Sequence, residues 1–448
     1  MTAARAKHPQ TGSVLRNIYS GLGLLLGGKA AAGLISLIYM VIAARTLGPR
    51  DYGVLILIHA YVTTVCGIVE FPVSQAIVRY GAFGIDGRDV ARVSRLLRFT
   101  ARVEACGGAL AILFTMALAP IVGPRLGWPP EAQAFAIPYS FAVLGSLRSA
   151  PAGYLQLLRR FDLLGAHSAI QPMVRLIGAG IAALGGFGLI GFLIAWLAAA
   201  IAEWAGMWIM GAVLARRELG RNFHKGDVAG VRAENPAIWR FMIGSNADVT
   251  FGELAGRIAP LAVGWLLGPV AAGLYGVAQR ATAIIAQPAQ LLGTSAYAEL
   301  ARLVATGARG SSLRHALLRV IGVALAAALP VMLAVVLFAG PLIGILAGRA
   351  FVSATGLMIW LVGARVIYLI APPCSAALLA LGRPGLSVGA NLIASLGLLP
   401  LLPLFIHFMG LTGSGLQAVV QAVAVAFLLA FFVWRTSQRH VPQAKALS

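Results

Sequence analysis

The chain has 448 residues, of which 59% are hydrophobic and 11% charged, with a mean hydropathy of +0.87 and a formal net charge of +21. A soluble domain carries about 25% charged residues, so a soluble fold is excluded. Strands of a membrane barrel alternate apolar and polar over about 10 residues, and that alternation is not seen.

What remains is an all-α polytopic membrane protein. Nearly uncharged runs of a length that crosses a ~30 Å hydrocarbon core recur from end to end. They predict twelve spans, at 20–44, 52–76, 100–120, 133–155, 167–185, 189–214, 238–265, 270–292, 316–339, 354–380, 386–406 and 413–434. The basic N-terminal stretch MTAARAKHPQTGSVLRN precedes an apolar run too long for a signal peptide, so the first run reads as a retained span. Cys66, Cys106 and Cys374 are odd in number and lie in or beside apolar runs. They offer neither a disulfide framework nor a metal spacing, and packing is their expected role.

Lysine and arginine set the expected orientation. The N-terminal tail and the loops on its side hold 26 of them, the opposite loops four (Arg45, Arg50, Arg125 and Arg349). Both termini are therefore expected in the cytoplasm. This bias accounts for most of the net charge without nucleic-acid binding.

RTLGPRDYGV (45–54) follows the first run, and LLGPVAAGLYGV (266–277) follows the seventh. Gly-Pro ends one helix and resets the chain. Its recurrence at the same place predicts two six-helix lobes related by a parallel internal repeat around a central cationic cavity. The expected organisation is a cytoplasmic tail (1–19), an N-lobe (20–215), a cytoplasmic inter-lobe loop (216–237), a C-lobe (238–434) and a second cytoplasmic tail (435–448).

Ionisable side chains within a span cost at least ~2.5–3.5 kcal/mol each on insertion scales, so they face a cavity or a partner. Five basic residues fall inside spans: Lys29, Arg175, Arg257, Arg280 and Arg365. The acids read as inside spans are Glu203, Asp248 and Glu253, with Glu70 nearer an end. Polar stripes at helical spacing run through His59, Gln171, Asn246, Gln279 and Tyr368. A cavity built from these faces is net positive and suits an anion, since guanidinium groups bind phosphate bidentately. Blander readings stand beside this one. Glu253 and Arg257, four apart, also make a self-neutralising pair, and Glu203 could neutralise Lys29 or Arg175. His59 also reads as a packing histidine. The pairs Asn391/Ser395 and Gln417/Gln421 also serve as glue between helices. In GRDVARVSRLLRFTAR (87–102), Arg88, Arg92, Arg95 and Arg102 share one face, either an amphipathic helix on anionic lipids or a plain extension of span three.

RTLGPRDYGVLIL with FPVSQAIVRYGA (71–82), PAGYLQLLRRFDLLG (151–165) and LLGPVAAGLYGVAQRATAII with AYAELARL (296–303) resemble bacterial polysaccharide-biosynthesis flippases of the multidrug/oligosaccharidyl-lipid/polysaccharide exporter superfamily. The resemblance covers nearly the whole chain. It implies a bacterial inner-membrane protein that is not an enzyme, moving an undecaprenyl-pyrophosphate-linked oligosaccharide to the periplasmic leaflet by alternating access. Lys29, Arg175, Arg257, Arg280 and Arg365 would hold the anionic head group, and Glu203, Asp248 or Glu253 would couple transport to H+ or Na+. No other cofactor or metal is implied. Expected partners are the lipid-linked anionic oligosaccharide, anionic membrane lipids and a polymerase or glycosyltransferases, with the protein itself a monomer. A multidrug antiporter of the same superfamily would need a cavity dominated by acids. A polytopic glycan polymerase, ligase or glycosyltransferase would need a sizeable outer loop, and those here reach only about 13 residues.

Overall fold

A computed structural model of the chain describes residues 11–70, 73–87, 89–305 and 311–438; the side chains of 11–26, Lys29, Asp86, 245–253, Ala255, 283–305, 311–312 and Pro384 lie outside that description. Among the described residues the fold is helical throughout. Seven helices are each long and apolar enough to cross a membrane, or eight with the pair Gly385–Gly397 and Leu401–Met409, bent by 42°. Many apolar side chains face outward, among them Leu113, Leu184 and Phe427, as a lipid-covered surface requires.

The difference from twelve expected spans has local causes. The first two share the helix Thr11–Val69, and the seventh and eighth share Ile238–Ala305. A straight 59-residue helix would be about 90 Å long, about three hydrocarbon cores, so each must fold back. It does so at Gly48 (φ 70°, ψ 177°) and Gly268 (φ 83°, ψ 178°), a backbone region open essentially only to glycine. The proline that follows each lacks the N–H that a helix start leaves unpaired anyway. The fourth span is broken into Pro130–Tyr139, a 3-10 turn Ser140–Ser146 and Ser149–Leu157. The fifth is only Ile170–Leu184.

The two Gly-Pro turns pack on each other. A Cβ at Gly53 would be driven into the Pro269 carbonyl, and one at Gly273 into the Pro49 carbonyl. Gly53 and Gly273 each lie four residues after their proline, so the repeated unit is GPxxxG, aligning Gly53 with Gly273. The shared YG read from the sequence pairs Tyr52 with Tyr275 one turn out of register. The contact itself is reciprocal, as a two-fold repeat demands.

The chain forms two compact units: Met1–Ala43, Val65–Ile121 and Pro130–Ala247, and Ala44–Thr64, Val122–Pro129 and Asp248–Ser448. The second thus takes in the first Gly-Pro turn and the turn after span three. The first unit has an apolar core around Ile77, Leu96, Tyr154 and Met207, which also takes in Val231 and Ile238. The second has one around Leu313, Cys374, Ala377 and Leu429.

In the first unit, the arginines at the start of Val90–Arg125 are turned mostly onto protein. Arg92 donates to the Glu234 carbonyl (3.1 Å) and to Asn235 Oδ1 (3.2 Å), and Arg95 pairs with the Glu234 carboxylate. Arg98 donates to the Phe223 (2.6 Å) and Asp227 (3.0 Å) carbonyls. Of the two readings of this stretch, the continuous helix Val90–Arg125 makes it an extension of span three, on which Arg92 and Arg95 fasten the loop 216–237. The loop's free carbonyls and Glu234 offer fixed, partly dry acceptors, which bind guanidinium more tightly than hydrated headgroups do. Arg88 lies outside the described residues.

Candidate functional site

In the second unit, spans seven, eight, ten, eleven and twelve enclose a cavity of about 230 Å³. Gly256, Ala259, Ala364 and Ala418 keep its walls low, and a polar set looks in: Tyr275, Gln279, Arg365, Tyr368, Gln417 and Gln421. Among the described residues, Arg365 is the only charged side chain lining it. It is exposed, with no hydrogen bond or ion pair to the described residues, and both Tyr275 and Tyr368 lie in its field. Gln417 donates to Gln421 Oε1 (3.3 Å) and to the Leu398 carbonyl (3.4 Å), so it ties span twelve to span eleven while lining the cavity. Asn391 instead donates to the Ser387 carbonyl of its own helix (2.9 Å). A planar guanidinium with five donors, flanked by phenols and carboxamides, can hold an oxyanion and several hydroxyls.

The other expected basic residues are placed differently. Arg257 belongs to the same unit but donates to the Thr63 carbonyl (2.7 Å), while its own carbonyl accepts from Thr64 (3.3 Å). Arg280 is exposed and does not line the cavity. Arg175, in the first unit, is 2% exposed. It donates to the Tyr39 hydroxyl (3.1 Å) and lies over the Trp196 ring at 4.3 Å. That is an internal aromatic cage, not the wall of a cavity, because stacking and one hydrogen bond already desolvate its guanidinium. The side chains of Lys29, Asn246, Asp248 and Glu253 lie outside the described residues. His59 and Gln171 are half-buried and line neither this cavity nor one another.

Glu203 pairs with Arg148 and not with Arg175; the Lys29 side chain lies outside the described residues. Around that pair the first unit gathers a set of charges the sequence reading missed. Glu104, 1% exposed, accepts the backbone N–H groups of Ser149 (2.5 Å) and Ala150 (2.8 Å), capping the helix that restarts at the break in span four. A carboxylate there meets the unpaired donors and the positive end of the helix. The Glu70 carboxylate acts on both Glu104 and Arg148, and His167 Nε2 lies 2.8 Å from the Glu203 carbonyl. Glu104 was findable, being an acid one turn inside span three. Arg148 looked like a loop residue, because the break in span four is not visible in hydropathy.

Comparison with known proteins agrees with this architecture. The sequence profile of the polysaccharide biosynthesis protein family matches residues 42–355. The chain belongs to that family. The match takes in both Gly-Pro turns, Glu104, Arg148 and Glu203, and ends before Arg365. The inner membrane protein YghQ of Escherichia coli (strain K12) is 26% identical over 315 residues, 68% of this chain and 85% of that one. Among solved structures, an inward-facing multidrug resistance MATE family transporter of the MOP superfamily superposes with a TM-score of 0.73 at 16% identity, covering 92% of this chain and 96% of its own. The lipid II flippase MurJ in an inward closed conformation gives 0.70 at 14% identity, covering 91% and 86%. At such identities the likeness shows the fold alone: this member of the family is a polytopic helical membrane protein with the fold of those transporters.

Proposed function

We propose that the protein is a flippase that carries a lipid-linked anionic oligosaccharide from the cytoplasmic to the periplasmic leaflet of a bacterial inner membrane by alternating access, with both termini in the cytoplasm. The observation that carries this reading is Arg365: a guanidinium with no counter-charge among the described residues, on a wall into which Tyr275, Tyr368 and three glutamines also look. That is the chemistry of phosphate or uronic carboxylate beside sugar hydroxyls. The cavity has room for a single sugar or phosphate group, so a repeat unit would pass it piecewise while its prenyl chain stays in lipid. Membership of the polysaccharide biosynthesis family supports the substrate class. Coupling to H+ or Na+ is assigned to the Glu70, Glu104 and Glu203 set, which holds three acids against one arginine.

The test is a strain lacking the gene, with lipid-linked oligosaccharide measured in each leaflet. Accumulation in the inner leaflet with loss of surface polysaccharide, reversed by the wild-type gene, is the expected result. Normal polysaccharide together with new sensitivity to cationic dyes would sink this reading in favour of a multidrug antiporter.

A further inference from the structure

Span three carries one arginine that the inter-lobe loop does not use. Arg102 is exposed and makes no hydrogen bond or ion pair with the described residues. It sits beside a guanidinium already crowded by its own kind. Arg98 is held below its ordinary value by burial first, then by Arg95 and Arg102. Arg95 has Glu234 and Arg98 has two carbonyls, so Arg102 is where positive charge is left over.

From Arg102 an apolar groove of about 420 Å³ climbs span three along Val103, Cys106 and Leu110, walled on its other sides by Val69, Phe99 and Trp239. Eight residues of helix make it about 12 Å long. It leads from the end of the span that carries the basic loops toward the middle of the hydrocarbon. Arg102 stands at its mouth, and on the wall Trp239 carries the exposed Arg232 5.5 Å from its ring. The mouth is cationic and offers donors, whereas the shaft offers only hydrocarbon contact.

We infer that this groove is a binding site for one anionic phospholipid of the inner leaflet, with its phosphate on Arg102 and an acyl chain along Val103, Cys106 and Leu110. Charge complementarity selects the headgroup, since guanidinium pairs with phosphate, and depth selects a chain over a soluble anion. The site lies within the first unit and does not depend on what the Arg365 cavity transports.

Cys106 supplies the probe, because it is exposed while Cys66 and Cys374 are buried. The full chain is placed in nanodiscs of phosphatidylcholine, with or without phosphatidylglycerol, and the rate of maleimide labelling at Cys106 is followed. Native mass spectrometry counts retained lipids. Phosphatidylglycerol is expected to slow labelling at least fivefold and to remain as a single adduct. Arg102→Ala abolishes both effects, and Arg102→Lys, which keeps the charge, retains at least half of the protection. Cys106→Trp, which fills the shaft and leaves the arginine, loses the adduct even though the surface charge is unchanged. Equal labelling in the two lipids, or an R102A protein indistinguishable from wild type, overturns the site. Undecaprenyl phosphate protecting Cys106 tenfold better than phosphatidylglycerol overturns the phospholipid as its occupant.

Discussion

The two units handle buried polarity in opposite ways. In the first, charged groups are closed on one another: Arg148 on Glu203, Glu104 on the amides of Ser149 and Ala150, and Arg175 between Tyr39 and Trp196. In the second, among the described residues, the Arg365 guanidinium stands against neutral polar side chains with space in front of it. A closed set holds a broken helix together and is costly to disturb. An open arginine adds little to the fold and is available to a ligand. The Gly-Pro unit repeats along the chain, but the chemistry of the two units does not.

The largest expected effect breaks the closed side. Arg148→Ala strands Glu203, whose side chain is 8% exposed, and is expected to cost about 3 kcal/mol, the low end for uncoupling a buried pair because Arg148 is itself partly solvated. Thermal unfolding of the purified protein measures it. Arg148→Met with Glu203→Leu should recover most of the loss, since removing both charges leaves nothing unpaired. If the double variant is as unstable as the single one, the pair is not what holds this region.

The next comparison sets two arginines against each other. Arg365→Gln is expected to lower polysaccharide export at least tenfold, equivalent to about 1.4 kcal/mol, while moving stability by no more than about 0.5 kcal/mol, as for an exposed side chain outside any network. Arg175→Gln reverses the pattern, with about 1–2 kcal/mol of stability lost through the cation–π contacts and export reduced only as far as folded protein is lost. Export per folded molecule, measured for both, decides whether open and closed mean different things.

The smallest effect is in a loop. Arg160 donates to Asp162 from Nε (2.9 Å) and Nη2 (2.7 Å), and that bond holds the Asp162 carboxyl below its usual 3.8. A lowered carboxyl contributes stability that is present above its ordinary value and lost as pH falls below it. The pair is exposed on both sides, so screening limits it to a few tenths of a kcal/mol. Asp162→Asn should flatten the stability profile only below about pH 4, where the carboxyl would otherwise protonate. At neutral pH the variant should lie those few tenths below the wild type, and a larger loss there would show that Asp162 holds the loop by something else.

The kind of site was readable from residue types in spans, but not its membership. Arg365, Gln279 and Tyr368 were nominated and do meet, because each projects from its helix on the stripe that its spacing predicts. Arg175 was nominated on the same grounds and is caged. Helical period gives the face a residue occupies, and the identity of the helix opposite that face is not in the period.

Hydropathy and spacing by themselves determined that the chain is helical and spans a membrane, since an unbroken apolar run must satisfy its own backbone in lipid. They also determined where it folds back twice, since Gly-Pro fixes local dihedrals without help from distant residues. Only the tertiary structure decided the long-range partners. It set Arg92 and Arg95 on the loop 216–237, paired Glu203 with Arg148, set Gly53 against Pro269, and left Arg365 and Arg102 without a hydrogen bond or ion pair to the described residues. Each of those outcomes depends on which surfaces helices bring together across tens to hundreds of residues, where a few ångströms of packing decide whether a charge finds a partner.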